Sequence, residues 1–217
     1  MRSKFIVGLD VGQSCDYTAL AIVERAELRG PWNAEVWAYR KMAGLRLRYL
    51  ERVELGTPYP EVVERVRVIT RSAELRGQCS LVVDATGVGR AIVDLLRGAD
   101  LECWVLPAVI TSGLDESQSK GYYHVPKKNL IVGLEVLLQR GGLRIAQGMA
   151  YGATLVEEMR QMRAKRTARG HEQYGAWREG EHDDLVFAVA LAHWGAEKVW
   201  GRVSGDDGVW RYEGELG

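Results

Sequence analysis

The chain has 217 residues, 47% hydrophobic and 27% charged, with 29 Lys plus Arg against 29 Asp plus Glu. That profile suits a single soluble globular domain, and the balanced charge argues against a protein that coats nucleic acid by bulk electrostatics. Cys15, Cys79 and Cys103 are odd in number, far apart and outside any C-x-x-C spacing, so no disulfide framework or zinc knuckle is implied and a reducing cytosol fits.

The amino end, "MRSKFIVGLDVG", has a basic start but too short an apolar run and no small-residue cleavage site for a signal peptide. "KFIVGLDVG" and "YTALAIVERA" read as two strands of a hairpin joined by the polar turn "QSCDY". "AEVWAYRKMA" and "LRYLERVEL" continue with β-type content, which predicts a meander of three or more antiparallel strands. The period then changes. Val62, Val63, Val66, Ile69 and Ala73 recur at helical spacing, with Pro60 suited to the first turn and Gly77 to the carboxyl cap. "CSLVVDATG" is a short continuous apolar run typical of a buried parallel strand. "VGRAIVDLLRGA" is helical again, and "LECWVLPAVI" is another buried strand.

"TSGLDESQSKGYY" reads as a polar, mobile loop. A helix follows over "PKKNLIVGLEVLLQRGG", with Pro126 near its first turn and Leu130, Leu134, Leu137 and Leu138 on one face. "LRIA" suits a short strand, "GATLVEEMRQMRAK" a helix, and "RTARGHEQYGAW" a hairpin around Arg169-Gly170. The last helix is "HDDLVFAVALAHWGAEKVW", whose apolar part is too short to span a bilayer. The tail from 201 to 217 is rich in Gly and charge and reads as peripheral, leaving one domain over 4–200. Antiparallel strands followed by alternating helix and strand predict an α/β fold, a mixed sheet flanked by helices on both faces.

Carboxylates fall at three element ends. Asp10 closes the first strand, Asp84 closes "LVVD", and Asp183 and Asp184 open the last helix. Each has an ordinary reading as a turn residue or helix cap. Together they suggest a shared rim, since sites in α/β sheets gather at strand ends. Converging carboxylates repel unless a cation intervenes, and oxygen-only ligands suit Mg²⁺ or Mn²⁺ over Zn²⁺. Two such ions about 3.5–4 Å apart can clamp both reacting oxygens of a phosphodiester.

The strands "FIVGLDVG" and "LVVDATGVG", the segment "HVPKKNLIVGLEVLLQRGGLRIA" and the terminal "GAWREGEHDDLVFAVALAHW" together resemble the nuclease domain of tailed-phage terminase large subunits over about residues 4 to 200. The resemblance implies an RNase H-like (retroviral integrase-like) fold and two-metal endonuclease chemistry that cuts concatemeric viral DNA during packaging. By position, Asp10 matches the acid that bridges both divalent cations, Asp84 the acid that holds one, and Asp183 and Asp184 the acidic pair of the last helix. Both of the pair are named, because the resemblance does not choose between them. His182 is an outer-ligand or water-steadying candidate, against a plain surface histidine. The implied setting is the host cytoplasm of a phage or prophage, with double-stranded DNA as substrate and a packaging ATPase, small terminase subunit and portal as partners. The chain has no G-x-x-x-x-G-K-[ST], so the resemblance carries cleavage and not translocation, whether in an excised domain or a free-standing relative.

Arg160, Arg163, Lys165, Arg166 and Arg169 crowd one short segment and are candidates to grip DNA phosphates, with Lys127 and Lys128 as a second pair. The alternative is a solvated face. Trp177 suits packing better than base stacking. Rival functions are an actin-like ATPase, for "GLDVGQSCDYTALAIVE", a RuvC-type junction resolvase, and a catalytically silent DNA-docking module. The chain is too short for two ATPase lobes, "YGAWREGEHDDL" points away from the resolvase, and the full set of acids disfavours the silent module.

Overall fold

The first apolar run is buried on both faces from Phe5 to Leu9 and pairs with the second. The computed structural model describes residues 3–12, 16–166, 172–175 and 182–201. Strand β1 (Phe5–Asp10) lies antiparallel to β2 (Ala19–Asn33), with Phe5 opposite Glu24 and Asp10 opposite Ala19. Strand β2 turns into β3 (Ala38–Arg52), also antiparallel. The two runs "AEVWAYRKMA" and "LRYLERVEL" are thus parts of one strand, and the meander has three strands. Beyond Leu28 the β2–β3 hairpin leaves the sheet as an arm, closed by a Trp32–Tyr39 cross-strand pair.

Three parallel strands extend the other side. Strand β4 (Cys79–Asp84) pairs with β1, β5 (Trp104–Thr111) with β4, and β7 (Tyr122–Pro126) with β5. The expected loop "TSGLDESQSKGYY" is more ordered than its composition suggests, because Ser117–Ser119 form an edge strand, β6, antiparallel to β7. Strand β8 (Leu143–Ile145) closes the far edge against β3. The eight-stranded sheet runs β6-β7-β5-β4-β1-β2-β3-β8.

Helices cover both faces. One carries α1 (Tyr59–Thr70) and α2 (Gly89–Gly98) over Val7, Leu9, Leu20, Leu81 and Val83. The other carries α3 (Lys127–Gln139), α4 (Gly152–Gln161) and α5 (Asp184–Trp200) over Ile6, Ala21, Val23 and Val82. Helix α1 ends at Thr70 with Arg71 as its cap, so Gly77 is not the stop; it takes a left-handed φ of 66° in the turns leading to β4. Of the four leucines assigned to one face of α3, Leu130, Leu134 and Leu137 are buried and Leu138 is exposed. Helix α5 is almost wholly buried from Asp184 to Ala196. Each fully buried Leu, Val or Phe there stabilises the fold by about 1.5–3 kcal/mol, more than helix propensity supplies. A two-stranded hairpin, β9 (Arg163–Arg166) and β10 (Glu172–Gly175), stands apart from the main sheet with β10 near α3. No helix among the described residues is long and apolar enough to cross a membrane. Residues 202–217 of the expected tail lie outside the described residues.

Candidate metal centre

Strands β1 and β4 run parallel with Leu9 opposite Val83, so the next residue of each, Asp10 and Asp84, ends its strand at the same edge of the sheet. Helix α5 packs on the same strands, and glycine lets it come close. A Cβ at Gly8 would stand 2.0 Å from the Ala188 carbonyl oxygen. That approach is one helical turn after Asp184. A second glycine seats Asp84, since a Cβ at Gly89 would stand 2.0 Å from the Asp84 carbonyl oxygen. Asp10, Asp84, Asp183 and Asp184 line one cleft of about 320 Å³, together with Asp16, Tyr17, Lys127 and His182.

The cleft is electrostatically strained. The Asp10 carboxyl is pushed well above the usual carboxylate range by burial first, then by the charges of Asp84, Asp183 and Asp184, with Lys127 opposing. Burial also raises Asp84, offset by hydrogen bonding with Thr86 and Asp10. The Thr86 N–H donates to Asp84 Oδ1 at 2.8 Å, a local turn contact, and the cap reading of Asp84 is not met, because the N-cap position of α2 is Val88.

The α5 pair divides in two. Asp183 occupies the N-cap position without making a side-chain cap, and its carboxylate stands 3.9 Å from Lys127 Nζ. Asp184 is buried and held by Arg52 of β3, whose Nε donates to Oδ2 at 2.8 Å and whose Nη2 donates to Oδ1 at 3.3 Å. Burial raises Asp184 against the lowering effect of Arg52. Arg52 Nη2 also pairs with Glu158 of α4, whose carboxyl is raised to about 7 by burial first and then by Asp184. His182 Nδ1 lies 4.0 Å from Asp184 Oδ1, too far for a hydrogen bond, and its ring meets Tyr17 edge-on at 4.9 Å.

The donor chemistry fits a hard divalent cation. Four aspartates supply only oxygen, and Lys127 and Arg52 are two cations against six acids once Asp16 and Glu158 are counted. A cation would relieve the repulsion that raises Asp10. Among the described residues no three His, Cys, Asp or Glu side chains already form a metal cage. Asp184 is turned onto Arg52 and Asp183 lies toward Lys127, so the acids share the cleft without meeting at one point.

The remaining candidates scatter. Lys127 belongs to the acidic cleft and Lys128 is exposed beside it. Arg160 is exposed on α4 and paired with Glu157 at 3.8 Å. Arg163, Lys165 and Arg166 sit on strand β9 and not on a helix that continues α4. Arg169 and Trp177 lie outside the described residues. Sequence reasoning missed Arg52, Glu158 and Tyr17. Glu158 carried a faint signal, an acid three residues after buried Leu155 on a helix face that also carries Met159 and Met162. Arg52 carried none.

An eight-stranded mixed sheet with helices on both faces and acids at the ends of its two central parallel strands is an RNase H-like fold. No protein-family model matches the chain. Within that class it is similar to the nuclease domain of phage terminase large subunits. The terminase large subunit of Thermus phage G20c is 25% identical over 189 residues, covering 87% of this chain and 31% of that protein. This chain therefore spans about a third of the length of the curated relative. The crystal structure of the large terminase nuclease from phage G20c with bound magnesium matches with a TM-score of 0.57 and 25% identity, over 87% of this chain and 79% of that one. The nuclease domain of the large terminase subunit of bacterial virus Sf6, with manganese, gives a TM-score of 0.59 over 88% of both chains. At 11% identity it attests the fold alone.

Proposed function

We propose that this chain is a metal-dependent DNA endonuclease of the terminase type, hydrolysing phosphodiester bonds with two divalent cations, Mg²⁺ or Mn²⁺. The observation that carries the reading is that Asp10, Asp84, Asp183 and Asp184 line one cleft, where burial and the neighbouring acids raise Asp10. Asp10, Asp84 and the α5 pair would hold the ions. Bound there, the ions would supply charge stabilisation at the attacking and leaving oxygens of an in-line displacement. The chain's own groups do the rest. Lys127 offsets the acids and meets the phosphate entering the cleft. His182, edge-on to Tyr17, is placed to orient a water by hydrogen bonding. Arg160 and the β9 residues Arg163, Lys165 and Arg166, with Arg169, grip the duplex backbone. The substrate would be concatemeric viral DNA in the host cytoplasm, with a packaging ATPase, small terminase subunit and portal as partners.

Incubation with supercoiled plasmid tests this reading. Nicked and linear DNA should form with Mn²⁺ or Mg²⁺, without ATP, and cease with EDTA. Asp10→Asn should abolish cleavage in a folded protein, because a carboxylate charge is lost at nearly constant shape. Cleavage that persists in that variant, or in EDTA, would sink the proposal.

A further inference from the structure

Helix α5 begins with a gap in its own capping. The first backbone N–H groups of any helix need acceptors from outside, and Asp183, at the N-cap position, supplies none through its side chain. The N–H of Val186, third residue of the helix, instead donates to Glu158 Oε2 at 3.1 Å, from α4. The other oxygen of Glu158 pairs with Arg52 Nη2, and Arg52 holds both oxygens of Asp184. Three elements, β3, α4 and α5, are thereby pinned at one point. The Arg52 guanidinium also lies 4.6 Å from the centre of the Tyr17 ring, which meets His182 edge-on.

We propose that Arg52 and Glu158 are positioning residues for the metal-binding acids of α5: Glu158 caps the helix from a neighbouring element, and Arg52 fixes the plane of the Asp184 carboxylate. The inference rests on the metal-centre reading above. An ordinary cap would take a carboxylate of the pair itself and turn it toward the helix backbone. With the cap supplied from α4, Asp183 lines the cleft beside Lys127 and Asp184 lines it in the grip of Arg52. The two-pronged guanidinium grip matters as much as its charge, since a lysine cannot reproduce the fork.

Glu158→Ala, Glu158→Gln and Arg52→Lys in the full chain test this by two readouts. Without metal, backbone amide exchange over the first turn of α5 should accelerate in Glu158→Ala. Glu158→Gln, which keeps an oxygen for the Val186 N–H, should remain close to the parent chain. In a Mn²⁺ titration followed by electron paramagnetic resonance, Glu158→Ala and Arg52→Lys should weaken binding by about tenfold or more, the effect expected when a group that orients a metal ligand is removed. Glu158→Gln should restore most of that affinity. A folded Glu158→Ala with unaltered exchange or unaltered Mn²⁺ affinity overturns the proposal, as does a Glu158→Gln as weak as Glu158→Ala. If Glu158→Ala does not fold, Arg52→Lys decides, and unchanged Mn²⁺ affinity in that variant is the overturning result. A parent chain that binds no Mn²⁺ defeats the metal-centre reading itself, whereas the exchange result still judges the cap.

Discussion

A carboxyl group half-buried at the end of a strand and facing three others holds its proton more tightly than a solvated one. Asp10 is in that position, raised by burial and by Asp84, Asp183 and Asp184. Glu158 is raised from 4.5 to about 7 by burial and Asp184. Both groups bind protons more readily folded than unfolded. Stability from them is therefore fully present below the unfolded value and is lost as pH rises through the folded one. In EDTA the melting temperature should fall between about pH 6.5 and about pH 8, where Glu158 loses its proton and above the range in which buried His193, lowered to about 4, acts in the opposite sense. Saturating Mg²⁺ should flatten the decline, because a bound cation favours the ionised acids. A metal-free melting temperature that climbs across this window would show that the carboxyls are not strained.

At the scale of elements, the cleft depends on how closely α5 approaches β1. Gly8→Val would place side-chain atoms into the backbone at Ala188 and Ala192, which no rotamer avoids. Overpacking of this kind costs roughly 1–3 kcal/mol and often more where backbone is struck. Thermal unfolding should register that loss, and Mn²⁺ affinity should fall with it, because the helix can relieve the clash only by moving its acids. A variant as stable as the parent would mean the approach is looser than described. Periodicity made the elements around this junction readable. Strands β1 and β4 and helix α5 are nearly continuous apolar runs, and α1 to α4 repeat at helical spacing. The misreadings fall where burial gives no pattern. Past Leu28 the β2–β3 arm is largely exposed on both faces, so a single strand reads as two fragments. The edge strand β6 is exposed at all three residues and has no apolar alternation to announce it.

For the molecule as a whole, balanced charge conceals an uneven distribution. Six carboxyl groups, Asp16 and Glu158 included, stand against Lys127 and Arg52 around the cleft, while Arg163, Lys165 and Arg166 lie along β9. Replacing those three with Gln should flatten the dependence of log K on log salt for duplex DNA, by about 0.9 for each phosphate no longer neutralised, without changing Mn²⁺ affinity. An unaltered slope would return the strand to an ordinary solvated face. The four aspartates could be read from sequence because each closes or opens an apolar element. Their supports could not. Arg52 and Asp184 are separated by 132 positions, and only the folded sheet and helices bring the arginine to the aspartate. The close approach of Gly8 to Ala188 has one further consequence. It is main chain against main chain, so the gap between the acid-bearing strand and the acid-bearing helix is a gauge with no rotatable side-chain bond in it. The width of the cleft at this point is therefore set by two backbones and not by a side-chain rotamer.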